Sequence, residues 1–164
     1  WVQRIRDKAQ AFVRLPPEVD LAQAAMLKVN VATAHLMLTG YENLQPGDWL
    51  IQNAANSGVG VDLIRLARAS GVRTVNIVRR AELIDELKQM GADAVVVDGP
   101  DLAQRVGEAT GGAQIRLGID AVAGAAAGRL AQCVAEGGTV VNYGLMSGEP
   151  IQVDAFHFVF RDLH

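Results

Sequence analysis

The sequence of 164 residues has a single cysteine, Cys133, no surplus of basic residues and no long apolar run. One cysteine excludes an internal disulfide framework and a cysteine-rich zinc site. Lys and Arg number 15 against 18 Asp and Glu, a net charge of −3, so nothing points to nucleic acid or to an anionic membrane surface. No apolar run approaches the roughly 18 residues of a membrane span, and no segment is of low complexity. The start, Trp1-Val2-Gln3, has neither an initiator Met nor the apolar core of a signal peptide, and the sequence stops at Arg161-Asp162-Leu163-His164; the expectation is a piece of a longer chain. What is there, 50% hydrophobic and 20% charged, suffices for one well-cored domain and is too short for two of full size.

From residue 46 onward Gly and Pro punctuate a repeating alternation. Pro46-Gly47-Asp48 predicts a turn and Trp49 to Asn53 a short apolar strand. A helix follows with Val59, Leu63, Leu66 and Ala67 on one face. Arg73–Val78 reads as a second strand, and Leu83, Ile84, Leu87 and Met90 share the face of the helix after it. Ala94–Val97 is a third strand, leading to a helix from Leu102 to Thr110. The fourth strand runs from Ile115 to Ala121, the next helix has Ala126, Leu130, Cys133 and Val134 as its stripe, and Thr139 to Tyr143 is the fifth strand. The strands are continuous apolar runs, as expected where both faces of a parallel sheet are covered. With right-handed crossovers this is an α/β fold, a doubly wound parallel sheet of the Rossmann type, over residues 46–150. Residues 1–45 read as a helical connector from an absent N-terminal domain, with a strand at Ala11 to Leu15 and helical patterns from Asp20 to Met26 and Val31 to Leu38. Residues 151–164, with a short strand and the aromatic stretch Phe156, Phe158 and Phe160, read as a return segment.

The loop Asn53-Ala54-Ala55-Asn56-Ser57-Gly58-Val59-Gly60 joins the first strand to the first helix of the alternation. A dinucleotide fold needs small residues there, because the chain turns tightly, its amides approach a pyrophosphate, and the helix packs close to the strand. The helix N-terminus adds free N–H groups and partial positive charge. Against GxGxxG, Ala55 and Ser57 stand for the first two glycines and Gly60 for the third, with Gly58 extra. A plain tight βα turn would use the same letters. A nucleophile elbow is excluded because Ser57 lies between Ala55 and Val59, and a nucleotide-hydrolase phosphate loop because no lysine is near. An NAD site wants an acid about 20 residues beyond the glycines; here the second strand runs into Arg79-Arg80. Two guanidiniums suit a ribose 2′-phosphate by charge and by bidentate geometry, which predicts NADPH over NADH; a solvated strand end is the plainer reading of the pair.

Leu15-Pro16-Pro17-Glu18, Ala24 to Asn30, Leu44-Gln45-Pro46-Gly47-Asp48 and Ile51 to Gly60 occur in register. Together they resemble the medium-chain dehydrogenase/reductase superfamily over essentially the whole chain. The branch most resembled is the zinc-free trans-2-enoyl-thioester reductases of the mitochondrial type, with quinone-oxidoreductase-like proteins as neighbours. The resemblance implies NADPH-dependent reduction of the C2=C3 double bond of an enoyl thioester. It implies that Asn56, Ser57, Gly58, Val59 and Gly60 lie along the cofactor phosphates, and that Arg79 and Arg80 surround the 2′-phosphate. Asn30 and the segment Tyr143, Gly144, Leu145 and Met146 fall at the nicotinamide end, with Leu145 standing where the family has a glycine, and Asp120 to Gly124 is a further candidate contact. It implies no metal: Val29 stands where zinc-dependent relatives place a ligand, His35 reads as a packed or surface histidine, and Cys133 as a small core residue. The proton donor of such reductases, a tyrosine, belongs to the catalytic domain, so no catalytic residue is expected in this sequence, and Tyr41 reads as structural. The resemblance further implies a homodimer in the full-length protein, in the cytoplasm of a bacterium or the mitochondrion of a eukaryote. The alternatives are a quinone or enone reductase, or a non-catalytic dinucleotide-sensing module. A methyl-donor-binding domain would want an acid where Arg79-Arg80 stand.

Overall fold

The computed structural model describes residues 2–164. Five strands form one sheet, β1 (Trp49–Gln52), β2 (Arg73–Val78), β3 (Ala94–Val97), β4 (Ile115–Asp120) and β5 (Thr139–Asn142). Their order is β3-β2-β1-β4-β5 and every pair is parallel, as the alternation predicts. The apolar runs are buried on both sides: Ile51, Val75, Ile77, Ala94, Val96 and Ile115 meet one helix layer, and Leu50, Leu117, Ile119 and Val141 the other.

The helices of the alternation are α3 (Gly58–Ala69), α4 (Ile84–Met90), α5 (Leu102–Thr110) and α6 (Gly124–Cys133). Ser57 caps α3 by accepting from the Gly60 N–H at 3.1 Å, satisfying one of the free donors of a helix start. Leu63 and Ala67 of α3 and Leu87 of α4 are fully buried, with Val59, Leu66, Leu83, Ile84 and Met90 packed beside them, the stripes read from the sequence. The stripe of α6 differs. Its buried residues are Gly124, Ala127, Leu130 and Ala131, with Val134 just beyond, whereas Ala126 and Cys133 are only partly covered. Small alanines lie nearest the sheet, and the letters do not distinguish which of the three consecutive alanines, Ala125 to Ala127, does so.

Cys133 packs against the edge of the core and its thiol meets the Arg129 carbonyl at 3.3 Å. Burial, with a further push from Asp98 and an opposing pull from Arg161, raises its pKa to about 12. The reactive thiolate is therefore scarce at neutral pH. A disulfide reagent at pH 8 is expected to leave Cys133 unmodified in the folded chain and to label it on unfolding; rapid labelling of the folded chain would contradict this.

The N-terminal residues depart from the reading in two places. Phe12 is extended, but residues 12–15 join no strand among the described residues and Phe12, Val13 and Leu15 are exposed; strand propensity needs a partner surface to be realised. The two helical patterns are one continuous helix, α1 (Leu21–Met26) joined to α2 (Ala32–Gly40) by a π-helical segment, Leu27–Val31. Asp20 caps its start, accepting from the Ala22 and Gln23 N–H groups at 2.8 and 3.0 Å. The extra residue of a π turn shifts the apolar phase, which is why the letters read as two helices. At 20 residues and a mean hydropathy of 1.2, Leu21–Gly40 is long and apolar enough to cross a membrane. The expectation of no such stretch fails because Gln23, Lys28 and Asn30 interrupt the apolar letters without ending the helix. Its Ala34, Met37 and Leu38 are buried with Leu63 and Ala67 of α3, and His35 lies on the exposed side.

Residues 151–154 form no strand, and the aromatic stretch is a helix, α7 (Ala155–Phe160). It buries His157 and exposes Phe156, Phe158 and Phe160. Past it, the Val140 N–H donates to the His164 carbonyl at 2.8 Å and the His164 N–H to the Gly138 carbonyl at 3.0 Å. That exchange lies along the outer edge of β5.

Candidate functional site

The chain leaves β1 for α3 on one face of the sheet and β4 for α6 on the other. Between these exits the carboxyl ends of the strands open a crevice, the place where doubly wound sheets bind ligands. A groove of about 340 Å³ lies there. Asn53, Ala54, Asn56 and Ser57 line it from the β1 loop, Arg79, Arg80 and Leu83 from the end of β2, and Asp98 from the end of β3. Val122 and Ala126 line it after β4, and Met146 and Ser147 after β5.

Two glycines allow the α3 start to sit where it does. A Cβ on Gly60 would lie 2.6 Å from the Ala55 carbonyl oxygen, and one on Gly58 2.5 Å from the Asn30 side-chain nitrogen. The first contact is with backbone and cannot yield, so Gly60 is the close-packing position that the loop reading required. The second brings Asn30, on the π-helical segment, onto the helix mouth. The Gly58 and Val59 N–H groups meet no protein acceptor among the described residues. Beneath the mouth, Gln52 donates to the Gly60 carbonyl at 3.0 Å and to Asn76 at 2.8 Å. Asn76 in turn donates to the Thr74 hydroxyl at 2.8 Å and the Ala94 carbonyl at 3.1 Å. This buried polar chain ties α3 to β2 and β3.

A second polar cluster organises the other wall. The Asp120 carboxylate is completely buried and accepts from the Asn53 amide, the Asn142 amide at 2.7 Å, and the Val122 and Ala123 N–H groups at 3.0 and 3.1 Å. The Asn53 amide oxygen accepts from the Ala121 N–H at 2.8 Å. These bonds hold Ala123 at φ 62°, ψ −155°, backbone that a non-glycine residue adopts only when its surroundings fix it. Asp120, a candidate contact in the sequence, thus lies under the loop rather than in the groove, and Val122 from the same segment faces the groove.

Of the residues singled out by sequence, Asn56, Ser57, Arg79, Arg80 and Met146 line the groove. Gly58, Val59 and Gly60 form the first turn of α3, and Asn30 stands over it. Tyr143 is half-buried against the α2 and α3 layer. Its phenol pKa is raised by burial, opposed by the Ser57 hydroxyl and reinforced by Asp120. A Cβ on Gly144 would lie 2.6 Å from the Ala121 carbonyl oxygen, so the close approach in this segment is at Gly144. Leu145, which stands where the family has a glycine, is 61% exposed. Asn53, Asn142, Asp98 and Arg129 carry no role in the sequence reading; for the first three, polar letters ending apolar strands were the available signal, and Arg129, inside α6, offered none. Arg129 grips Asp98 with Nε and Nη2 at 2.8 and 2.6 Å, and this bond outweighs desolvation to raise the guanidinium pKa. Among the described residues no group of three or more His, Cys, Asp or Glu could hold a metal ion.

Three similarities bear on this arrangement. Human mitochondrial enoyl-[acyl-carrier-protein] reductase is 38% identical over 94% of this chain and 43% of its own length. Etr1p of a Candida tropicalis 2-enoyl thioester reductase pair, solved with NADP and crotonyl-CoA, superposes with a TM-score of 0.82 at 27% identity, over 88% of this chain and 43% of the other. A Bacillus thuringiensis protein described as a candidate NADPH:quinone reductase does so with a TM-score of 0.82 at 30% identity, over 93% and 46%. The chain spans less than half the length of the curated relatives it matches. The model of the zinc-binding dehydrogenase family matches residues 58–164, from the first residue of α3 through every later strand, and with that sheet and crevice the chain belongs to the zinc-binding dehydrogenase family.

Proposed function

We propose that this chain is the NADPH-binding part of an oxidoreductase that reduces the C2=C3 double bond of an enoyl thioester by hydride transfer. The observation that carries the reading is the pair Arg79-Arg80 on the same groove as the mouth of α3. Two free N–H groups, a glycine cradle and two guanidiniums form a donor set for a pyrophosphate and a 2′-phosphate. The Gly58 and Val59 N–H groups and the Ser57 hydroxyl would donate to the pyrophosphate; that hydroxyl accepts from Gly60 and lies beside the Tyr143 phenol. Arg79 and Arg80 would hold the 2′-phosphate, and Asn30, Tyr143, Gly144, Leu145 and Met146 would border the nicotinamide end. NADPH supplies the hydride; the chain's task is to orient it.

In this reading residues 46–150 are the dinucleotide-binding unit, residues 1–45 a connector from a catalytic domain, and residues 151–164 the start of a return segment. The proton donor belongs to that catalytic domain, as does most of the acyl-chain cleft. The described residues offer no ligand set for the zinc of the family's name, so no step is assigned to it. The whole enzyme would act as a homodimer, in the mitochondrion of a eukaryote or the cytoplasm of a bacterium. Reduction of a quinone or enone is the second reading, favoured by the likeness to the Bacillus thuringiensis protein; rates with crotonyl thioester and quinone by the full-length enzyme separate the two.

Titration by nicotinamide fluorescence tests the cofactor. NADPH is expected to bind at least about tenfold more tightly than NADH, the worth of one or two charge-assisted bonds. Arg79→Ala and Arg80→Ala should each narrow that ratio severalfold. Equal affinity of the unaltered chain for both dinucleotides would sink the proposal.

A further inference from the structure

The NADPH reading leaves one strong polar group of the groove without a role. Asp98 follows β3, and its N–H donates to the Val78 carbonyl at 2.8 Å, immediately before Arg79-Arg80. Asp98 lines the groove, and its carboxylate, with the side chain 19% exposed, is held by Arg129 of α6, one guanidinium N–H on each oxygen. The clamp has two consequences. It offsets a negative charge that would otherwise repel a ligand carrying several phosphates. It also fixes the plane of the carboxylate while leaving each oxygen a lone pair for a further donor.

The order of groups in the ligand says which part reaches Asp98. With the pyrophosphate at the mouth of α3 and the 2′-phosphate at Arg79-Arg80, the base attached to that ribose falls on the remaining wall. That wall is apolar at Val78, Leu83, Val122 and Ala126, and among the described residues Asp98 is the one acidic residue lining the groove. Apolar walls suit the faces of a purine, and a carboxylate, which only accepts, requires a donor on its edge.

We propose that Asp98, held by Arg129, is the base-selecting residue of this groove, accepting a hydrogen bond from the exocyclic amino group of adenine and rejecting 6-oxopurine dinucleotides. The inference rests on the NADPH reading. Replacing adenine by hypoxanthine turns the 6-position from donor to acceptor and sets an oxygen against the carboxylate. A pair that served only to tie β3 to α6 would make no such distinction.

The test is a fluorescence titration of the 164-residue chain with NADPH and with reduced nicotinamide hypoxanthine dinucleotide phosphate. The hypoxanthine compound is expected to bind at least about tenfold more weakly, the loss of one hydrogen bond to a charged group. An Asp98→Asn chain, whose amide can accept from an amino group or donate to an oxo group, should bring the two within about threefold, with its fold checked by circular dichroism. Equal affinities in the unaltered chain overturn the proposal without recourse to any variant. An undiminished preference in a folded Asp98→Asn chain overturns it as well. Failure of NADPH itself to bind is a different result, and it overturns the cofactor reading beneath.

Discussion

Replacing Gly60 with alanine is expected to cost the chain more than about 3 kcal/mol of stability and to weaken NADPH binding at least tenfold. The added Cβ would sit 2.6 Å from the Ala55 oxygen, 2.8 Å from its carbonyl carbon and 2.9 Å from the Ala54 oxygen. All three are backbone atoms of the loop leaving β1, so no side chain can swing aside. Relief comes only by lifting α3 away from β1. That movement stretches the bond from Gln52 to the Gly60 carbonyl and carries the free N–H groups of the helix mouth away from the groove. Gly107→Ala is the control: a Cβ there meets nothing within 4 Å, and alanine inside α5 should add roughly 0.5–1 kcal/mol. Urea unfolding of the three chains and titration with NADPH read both effects. A Gly60→Ala chain as stable as its parent would show that the helix and strand have slack between them.

The second large effect is expected at Asp120. Asp120→Ala removes the acceptor shared by two asparagine amides and two loop N–H groups. Donors left buried without an acceptor cost about 1–3 kcal/mol each. Asn142 is exposed and can turn to water, so the expected loss is about 3–5 kcal/mol rather than the full sum. The strained backbone at Ala123 then has nothing to hold it, and the groove wall at Val122 and Ala126 relaxes with it. Asp120→Asn keeps the size but turns an N–H₂ toward donors, and should fall between the two. Denaturant unfolding measures the loss; an unfolding free energy in water within about 0.5 kcal/mol of the parent would mean that water replaces the carboxylate at no cost.

The strands were legible almost to the residue because burial on both faces leaves continuous apolar runs, a signal that survives without knowledge of neighbours. Helices were legible where one stripe was apolar and the other polar, as in α3 and α4. In α6, a run of alanines concealed which face meets the sheet, and the reading rotated the stripe toward Ala126 and Cys133. Extended residues near Val13 looked like a strand because strand letters describe a surface to pack against, and the described residues offer none. The aromatic stretch at Phe156 formed a helix for the converse reason: Asp154 caps it, a local device that outweighs the β preference of aromatics. Within the site, Gly60 and Arg79-Arg80 could be read because their chemistry is tied to a fixed place after a strand. Asn53, Asn76 and Asp120 could not be assigned partners, since their bonds span as many as 67 or 68 residues of sequence.

The strand order governs the timing of assembly. β1 finds β2 at a separation of two dozen residues, Trp49 opposite Arg73, but meets β4 only across the far longer stretch to Ile115. The extra loop-closure cost is small in free energy, on the order of 1 kcal/mol, yet non-local pairing slows folding. The β1-β2-β3 half is expected to organise first and to receive β4 and β5 afterwards, so the groove is a seam between an early half and a late one. A ligand that spans a seam absent from the folding transition state slows unfolding and leaves the folding rate unchanged. Bound dinucleotide would then act as a clasp, prolonging the life of the folded chain without hastening its formation.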